Sequence, residues 1–367
     1  MSAGVRVCPP GPLQAFAAAV IHAMGADDEI AAEVGRHLIR ANLSGHDSHG
    51  IIRIPQYVLH ADRGDLRPGS RPHVARETAV GGLVDANYGF GHFSTAFALE
   101  WAMRRAREHG LAAAAVRHST HIGRLGEYTE RAVDDGLIAV VTVGAAGRGV
   151  GGIAPYGGRG RFLGTNPWSI GIPGRARAMM FDGATSVIAE GKVRMARAKR
   201  TALPPGCIID RDGNPTQDPE EYYAGGALLP LGGDVAGHKG YGLALASALI
   251  GGLGMIDDPQ PSLIGAAAMP QDADHGGRIA GVFLLVIDPA TFGSADHYRG
   301  LVDDTLAAAK GMPAAPGRAE VFLPGEPEIL SRLHRSLDGI AVPEATWKDL
   351  GGLADRFRIP LPEHRVV

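Results

Sequence analysis

The run His46-Asp47-Ser48-His49-Gly50, followed by Arg53 and Tyr57, sets an imidazole four residues before a guanidinium. Pro55 suits the first turn of a helix better than its interior, so His49 and Arg53 fall on the approach to that helix and face one spot. A small acid with a carbonyl beside its carboxylate needs these two groups. Arg53 can hold the carboxylate through paired N–H donors, and His49 can protonate the adjacent oxygen as a hydride reaches the carbon. A surface turn with Ser48 as a helix cap satisfies the same residues, and the spacing alone leaves both readings open.

A second cluster, Arg117-His118-Ser119-Thr120-His121-Ile122-Gly123, ends a strand-like run and precedes a helix predicted to start near Leu125. Strand ends that face helix starts are common ligand sites in mixed α/β layers, although a structural histidine fits there equally well. His46 with His49 and His118 with His121 form two H-x-x-H pairs, which raises a metal-dependent hydrolase or lyase as a distinct alternative. That spacing brings two imidazoles together only on a helix, and neither pair lies clearly on one, so no metal is expected.

Further along, Leu231-Gly232-Gly233 leads through His238-Lys239-Gly240 into an uncharged segment from Tyr241 onward. The pattern predicts a helix with Lys239 at its N-terminus, where a cation opposes the helix dipole unless an anion such as a dinucleotide phosphate bridges it to the free amides. In Phe181-Asp182-Gly183-Ala184-Thr185-Ser186, followed by Glu190-Gly191-Lys192, Asp182 could orient a catalytic imidazole or cap a helix. Leu323-Pro324-Gly325-Glu326-Pro327 is a rigid turn whose backbone could line a cofactor.

The elements that must hold these groups are partly legible. Leu13, Phe16, Ala17, Val20 and Ile21 share one helical face, as do Ile30, Val34, His37 and Leu38. A helix is predicted from Thr95 to His109, closed by Gly110, and strands from Leu111 to Arg117, Leu137 to Val143 and Gly281 to Ile287. Helices are expected over Leu301 to Ala309, Glu328 to Leu337 and Trp347 to Phe357. Gly147, Gly149 and Gly152 spell the G-x-G-x-x-G of a Rossmann phosphate loop after a strand. Pro155, Gly157, Gly158 and Gly160 follow where a helix would have to begin, so the segment reads as a glycine-rich loop.

Composition narrows the function class. The chain has 367 residues, 45% apolar and 20% charged, with a formal charge of −3, which describes a compact globular protein without the basic footprint of a nucleic-acid or anionic-membrane binder. Two cysteines provide neither a disulfide framework nor a thiolate zinc cluster, consistent with a reducing, cytoplasmic setting. Leu13 to Met24 lacks the cleavage site of a signal peptide. Gly240 to Ile256 is uncharged but shorter than a bilayer span, and is expected to be a buried, closely packed helix.

Taken in order, Asp47-Ser48-His49-Gly50 with Arg53 and Pro55, His121 with Gly123, Gly164-Thr165-Asn166-Pro167, Asp182 with Ala184-Thr185-Ser186, Gly191-Lys192, Asp210 with Asp212-Gly213, His238-Lys239-Gly240-Tyr241-Gly242 and Pro324-Gly325-Glu326 resemble the type 2 malate/L-lactate dehydrogenase family nearly end to end. The resemblance implies an α/β, non-Rossmann NAD(P)-binding fold with a mainly antiparallel central sheet and a helical layer formed from both termini. It also implies a homodimer using NAD or NADP on a small 2-oxo or 2-hydroxy acid. Its implied division is a helical domain of residues 1–80 with 311–367, and a sheet domain of 81–310 with an inserted subdomain around 187–225.

By the same resemblance, His49 is the proton donor or acceptor and His121 a second active-site imidazole, and Asp182 joins them as the catalytic residue that would hold an imidazole in register. Ser48, Arg53, Tyr57 and Thr165 then bind substrate. His121, Gly123, Phe181, Asp182, Gly183, Ala184, Thr185, Ser186, His238, Lys239, Gly240, Gly325 and Glu326 contact the cofactor. Gly183 replaces the family's usual methionine and Ile122 its phenylalanine. Both departures fall where nicotinamide and substrate are expected, which leaves cyclic 2-imino acids, diketo sugar acids, ureidoglycolate and sulfolactate as alternative substrates.

Overall fold

The computed structural model describes residues 5–257 and 279–366. The chain opens with β1 (Arg6–Cys8), α1 (Pro10–Ala23), α2 (Asp28–Leu43) and, after two short 3-10 turns, α3 (Ile54–Asp62). Next come β2 (His73–Glu77), β3 (Gly81–Asp85), α4 (Gly91–His109), β4 (Leu111–Arg117), α5 (Gly126–Asp134), β5 (Ile138–Ala146), β6 (Trp168–Ile172) and β7 (Met179–Gly183). A small lobe holds α6 (Glu190–Lys199), β8 (Ile208–Ile209), β9 (Pro215–Thr216), α7 (Pro219–Tyr223) and β10 (Ala227–Leu228). The chain then continues through α8 (Gly233–Gly251), β11 (Ile279–Ile287), α9 (Ala295–Lys310), α10 (Glu326–Asp338), β12 (Ile340–Val342), α11 (Glu344–Phe357) and β13 (Arg365–Val366).

The central sheet has seven strands in the order β2-β3-β4-β11-β5-β6-β7, antiparallel throughout except between β3 and β4. Its middle strand, β11, is an almost unbroken apolar run, as burial on both faces requires. Val282, Leu284 and Val286 pack with Val84, Val116 and Val141 beneath α4 and α5. The opposite face carries α8, whose Ser247 hydroxyl meets that of Thr142 on β5 at 2.7 Å.

Small residues let α8 lie directly on the sheet. A Cβ at Gly144 would fall on the backbone of Ser247 and Ala248, and one at Gly251 on the carbonyl of Gly281. Tyr241 and Leu245 pack against the core of the small lobe, while Leu243 and Leu249 are exposed. The expectation of a buried helix therefore holds only in part, and close backbone approach selects glycine and alanine on the sheet side. Among the described residues no helix is long and apolar enough to cross a membrane.

The start of α8 also differs from the sequence expectation. The helix begins at Gly233 and breaks at Ala236 (φ −136°, ψ 16°), so Lys239 stands just inside its second segment. Gly240 seals this turn against the preceding loop, where an added Cβ would meet Leu231 N at 2.6 Å and Cα at 2.8 Å. Gly240→Ala is expected to cost about 1–3 kcal/mol of stability as an overpacking strain. A denaturation midpoint identical to wild type would show that this loop yields freely.

A second core joins both ends of the chain. Leu13, Phe16, Val20, Ile21, Ile30, Val34 and Leu38 pack with Ile340, Val342, Trp347 and Leu350, and β1 pairs with β12 and β13. The G-x-G-x-x-G segment opens no helix. Gly147 and Gly149 donate instead to the carbonyls of Phe162 and Arg161, folding the segment into a loop.

Candidate active site

The residues from Asp47 to Arg53 form two successive 3-10 turns that deliver the chain into α3, with Pro55 in its first turn. Asn42 fixes this entry, because its Oδ1 accepts from Ile51 N at 2.8 Å and its Nδ2 donates to Asp47 at 2.7 Å. Arg53 is half-buried. Its Nε donates to the Ser48 carbonyl at 2.5 Å and its Nη1 to Gln56 at 2.8 Å, and among the described residues Nη2 has no hydrogen-bond partner.

His49 and His121 stack with ring centroids 5.5 Å apart and an interplanar angle of 21°. Ser48 Oγ lies 3.0 Å from His49 Nδ1, and the Tyr57 hydroxyl lies 2.7 Å from His121 Nδ1. Tyr57 is buried and its hydroxyl is engaged on both sides, since His92 Nε2 stands 3.3 Å away. These two bonds join Tyr57 to the imidazole cluster.

The H-x-x-H pairs do not converge as pairs. His49 and His121 meet, while His46 lies 3.3 Å from Glu328 and His118 bonds Asp85 at 3.0 Å. Two buried histidines that the sequence reading did not place at the site, His37 and His92, complete the cluster. His37 Nε2 accepts from the Arg124 amide at 3.0 Å, and its ring meets His92 edge-on at 4.8 Å.

Burial, followed by the charge of the Arg53 guanidinium, pushes His49 and His92 down to about 3. His121 is held well below the ordinary imidazole value by burial, then by Arg53 and His49, and His37 by burial, then by His92. All four rings are neutral at neutral pH. The unfolded chain takes up protons near the ordinary value of 6.5 while the folded chain does not, so stability is complete above that pH. It declines as pH falls from 6.5 toward 3, by up to about 1.4 kcal/mol per pH unit for each ring. Thermal midpoints measured from pH 8 to pH 4 are expected to fall on the acid side, and a flat profile would contradict four neutral rings.

Asp182 sits at the end of the edge strand β7. Its Oδ2 accepts from Gly126 N at 2.7 Å and pairs with Arg124 at 3.3 Å. Burial raises its carboxyl, and Arg124 opposes that rise. Its partners are a helix-start amide and a buried arginine, so the expected direct bond to an imidazole is replaced by anchoring of the β7 tip. The nearly inaccessible Arg124 also pairs with Glu130 at 3.0 Å. Sequence reading missed this residue because its partners are scattered along the chain.

The remaining candidates other than Gly123 lie on loops and element ends, several of them linked by hydrogen bonds. Thr185 N and Oγ1 both donate to the carbonyl of Thr165 at 2.9 Å, and Leu231 N donates to the Thr185 carbonyl at 2.8 Å. Residues Gly183, Ala184 and Ser186 are thereby linked to the loop ahead of His238, Lys239 and Gly240. Thr165, Phe181, His238 and Lys239 are exposed, with the His238 ring 5.7 Å from that of Tyr156. Gly325 (φ +94°) caps α10 against Met180 of β7, and Glu326 accepts from Lys310 at 2.6 Å and Leu323 N at 2.9 Å. At Gly123 (φ +74°) a Cβ would strike His37 and His92.

The malate/L-lactate dehydrogenase family matches residues 9–351. Hydroxycarboxylate dehydrogenase B of Escherichia coli (strain K12) is 32% identical over 356 residues, covering 95% of this chain and 93% of that protein. Delta(1)-pyrroline-2-carboxylate reductase of Ancylobacter novellus is 34% identical over 340 residues, covering 91% and 93% respectively. Malate dehydrogenase from Entamoeba histolytica superposes with a TM-score of 0.88 at 27% identity, covering 98% of this chain and all of that one.

Proposed function

The chain belongs to the malate/L-lactate dehydrogenase family, and from that premise we propose that it transfers a hydride between a nicotinamide dinucleotide, NAD or NADP, and C2 of a small 2-oxo or 2-hydroxy acid. The observation that carries this reading is the stacked, neutral pair His49 and His121 beside Arg53. Arg53 anchors the substrate carboxylate through its terminal nitrogens. His49, neutral in the free chain and protonated once the substrate carboxylate offsets the Arg53 charge, gives that proton to the C2 oxygen in reduction and takes it back in oxidation. His121 donates a hydrogen bond to the same oxygen.

The dinucleotide supplies the hydride when bound. The segment from Phe181 to Ser186, with Thr165, Lys239 and Gly325, fits such a group because small residues and loop backbone dominate it and Lys239 offers an exposed cation beside a helix start. The loop fold of the G-x-G-x-x-G segment and the largely antiparallel sheet favour a non-Rossmann binding mode. The mixed core of both chain ends favours a helical layer of residues 1–80 with 311–367 over a sheet unit of 81–310 that carries the lobe around 187–225. Family membership supports a homodimer, and two buried free thiols accord with the cytoplasm.

Identity to a pyrroline-carboxylate reductase favours a second substrate class, cyclic 2-imino acids, which carry the same carboxylate and place nitrogen where the ketone oxygen would lie. A panel of 2-oxo acids and cyclic imino acids with NADH and NADPH, followed at 340 nm, distinguishes these readings. Turnover of at least one acid supports the proposal. No turnover with any member, together with metal-dependent hydrolysis or elimination, would replace it.

A further inference from the structure

We propose that His92, acting through Tyr57, is a positioning residue that holds His121 as the neutral tautomer with its hydrogen on Nε2, the ring nitrogen that Tyr57 does not engage. This rests on reading the cluster as the site of a 2-oxo or 2-imino acid, where an Nε2–H donates to the reacting atom and a bare lone pair would repel it.

Tyr57 has one hydroxyl hydrogen and two imidazole neighbours, His121 Nδ1 at 2.7 Å and His92 Nε2 at 3.3 Å. Burial keeps the phenol protonated and both rings neutral. Tyr57 therefore donates to one ring and accepts from the other, and the tautomers of His92 and His121 are locked together.

In one arrangement His92 donates from Nε2 to Tyr57, which donates to His121 Nδ1, and the hydrogen of His121 is on Nε2. In the other, all three hydrogens reverse and His92 must carry its hydrogen on Nδ1. Among the described residues that buried atom has no hydrogen-bond partner. A bare lone pair is tolerated there better than an N–H. His37, whose Nε2 accepts from the Arg124 amide, already carries an unpartnered N–H in the same pocket, and the second arrangement would add another. The shorter contact, at His121, also matches the O–H···N bond of the first arrangement.

The backbone leaves His92 little freedom to respond otherwise. A Cβ at Gly91 would fall on the carbonyls of Thr120 and His121, and one at Gly123 would lie 2.8 Å from His92 Cδ2. The start of α4 and the loop that carries His121 are thus in direct backbone contact, and Gly91 N donates to Thr120 Oγ1 at 3.0 Å.

The test is imidazole nitrogen NMR on the full chain at neutral pH, with His121 signals assigned by their loss in His121→Asn. Wild type is expected to show His121 protonated on Nε2. Tyr57→Phe and His92→Phe should give a mixture of tautomers, while His92→Gln, whose side-chain amide can donate to Tyr57, should restore the wild-type pattern. Turnover of the best acid should follow, with kcat about ten- to a hundredfold lower in both phenylalanine variants, KM nearly unchanged, and His92→Gln within about threefold of wild type. Tyr57→Phe preserves ring volume and carries the test if His92→Phe does not fold. Wild-type His121 protonated on Nδ1, or one tautomer common to all variants, would overturn the proposal. The spectra decide it even if no acid is turned over, a result that would sink the functional reading by itself.

Discussion

Arg53→Ala is expected to lower kcat/KM for a 2-oxo acid by about 2–4 kcal/mol, roughly thirtyfold to nearly a thousandfold, mostly through KM. The guanidinium is held at Nε by the Ser48 carbonyl and at Nη1 by Gln56, so its orientation is set before any ligand arrives. Preorganisation of this kind makes a charge-assisted contact worth more than one formed by a free side chain. Arg53→Lys should recover only part of the loss, because an ammonium supplies charge without the planar fork.

A second readout separates this role from simple damage to the fold. After burial, Arg53 is the main influence that lowers His49, and it also lowers His92 and His121. Removing a positive charge stabilises the imidazolium, so in oxidation of a 2-hydroxy acid, where His49 must be neutral to accept the proton, the acid limb of the pH–rate profile should move to higher pH in Arg53→Ala. Initial rates from pH 5 to pH 9 check this. An unchanged KM with an unshifted limb would remove Arg53 from the site.

What the sequence revealed and what it hid follow from how far each partner lies along the chain. Strand β4 is legible from its alternation-free small apolar run, and the buried faces of α1 and α2 from helical periodicity, because each signal is local. His49 and Arg53 are legible for the same reason. His92 is hidden because the first turn of α4 is stabilised by Thr120, 29 residues away, and by backbone contacts that need glycine at Gly91. Nothing in the local pattern around Gly91 announces a helix start. The partners of Tyr57 and Asp182 are hidden for a related cause, since each lies across a sequence gap of more than fifty residues. The outward leucines of α8 invert the usual rule that large apolar residues face inward, because the sheet comes too close to its axis to admit them.

His49→Ala is expected to lower kcat by about 10²–10⁴-fold with a smaller change in KM. A neutral ring pushed down to about 3 is a weak proton source at neutral pH, so the reaction requires that the pocket change its charge as it fills. A substrate carboxylate seated on Arg53 cancels the largest of the charges that oppose protonation of His49. Its pKa then rises, and the complex takes up a proton that the free chain does not hold. Ser48 fits both states, because a hydroxyl at 3.0 Å can donate to the lone pair of neutral Nδ1 or accept from the Nδ1–H of the imidazolium. Calorimetry of binding in two buffers of different ionisation enthalpy should therefore show uptake approaching one proton per site in wild type and much less in His49→Ala. Binding without proton uptake, alongside undiminished turnover in that variant, would assign the proton to another group. In the proposed arrangement His121 is poorly placed to take over, because Tyr57 occupies its Nδ1 and its Nε2–H would be the standing donor to the same oxygen.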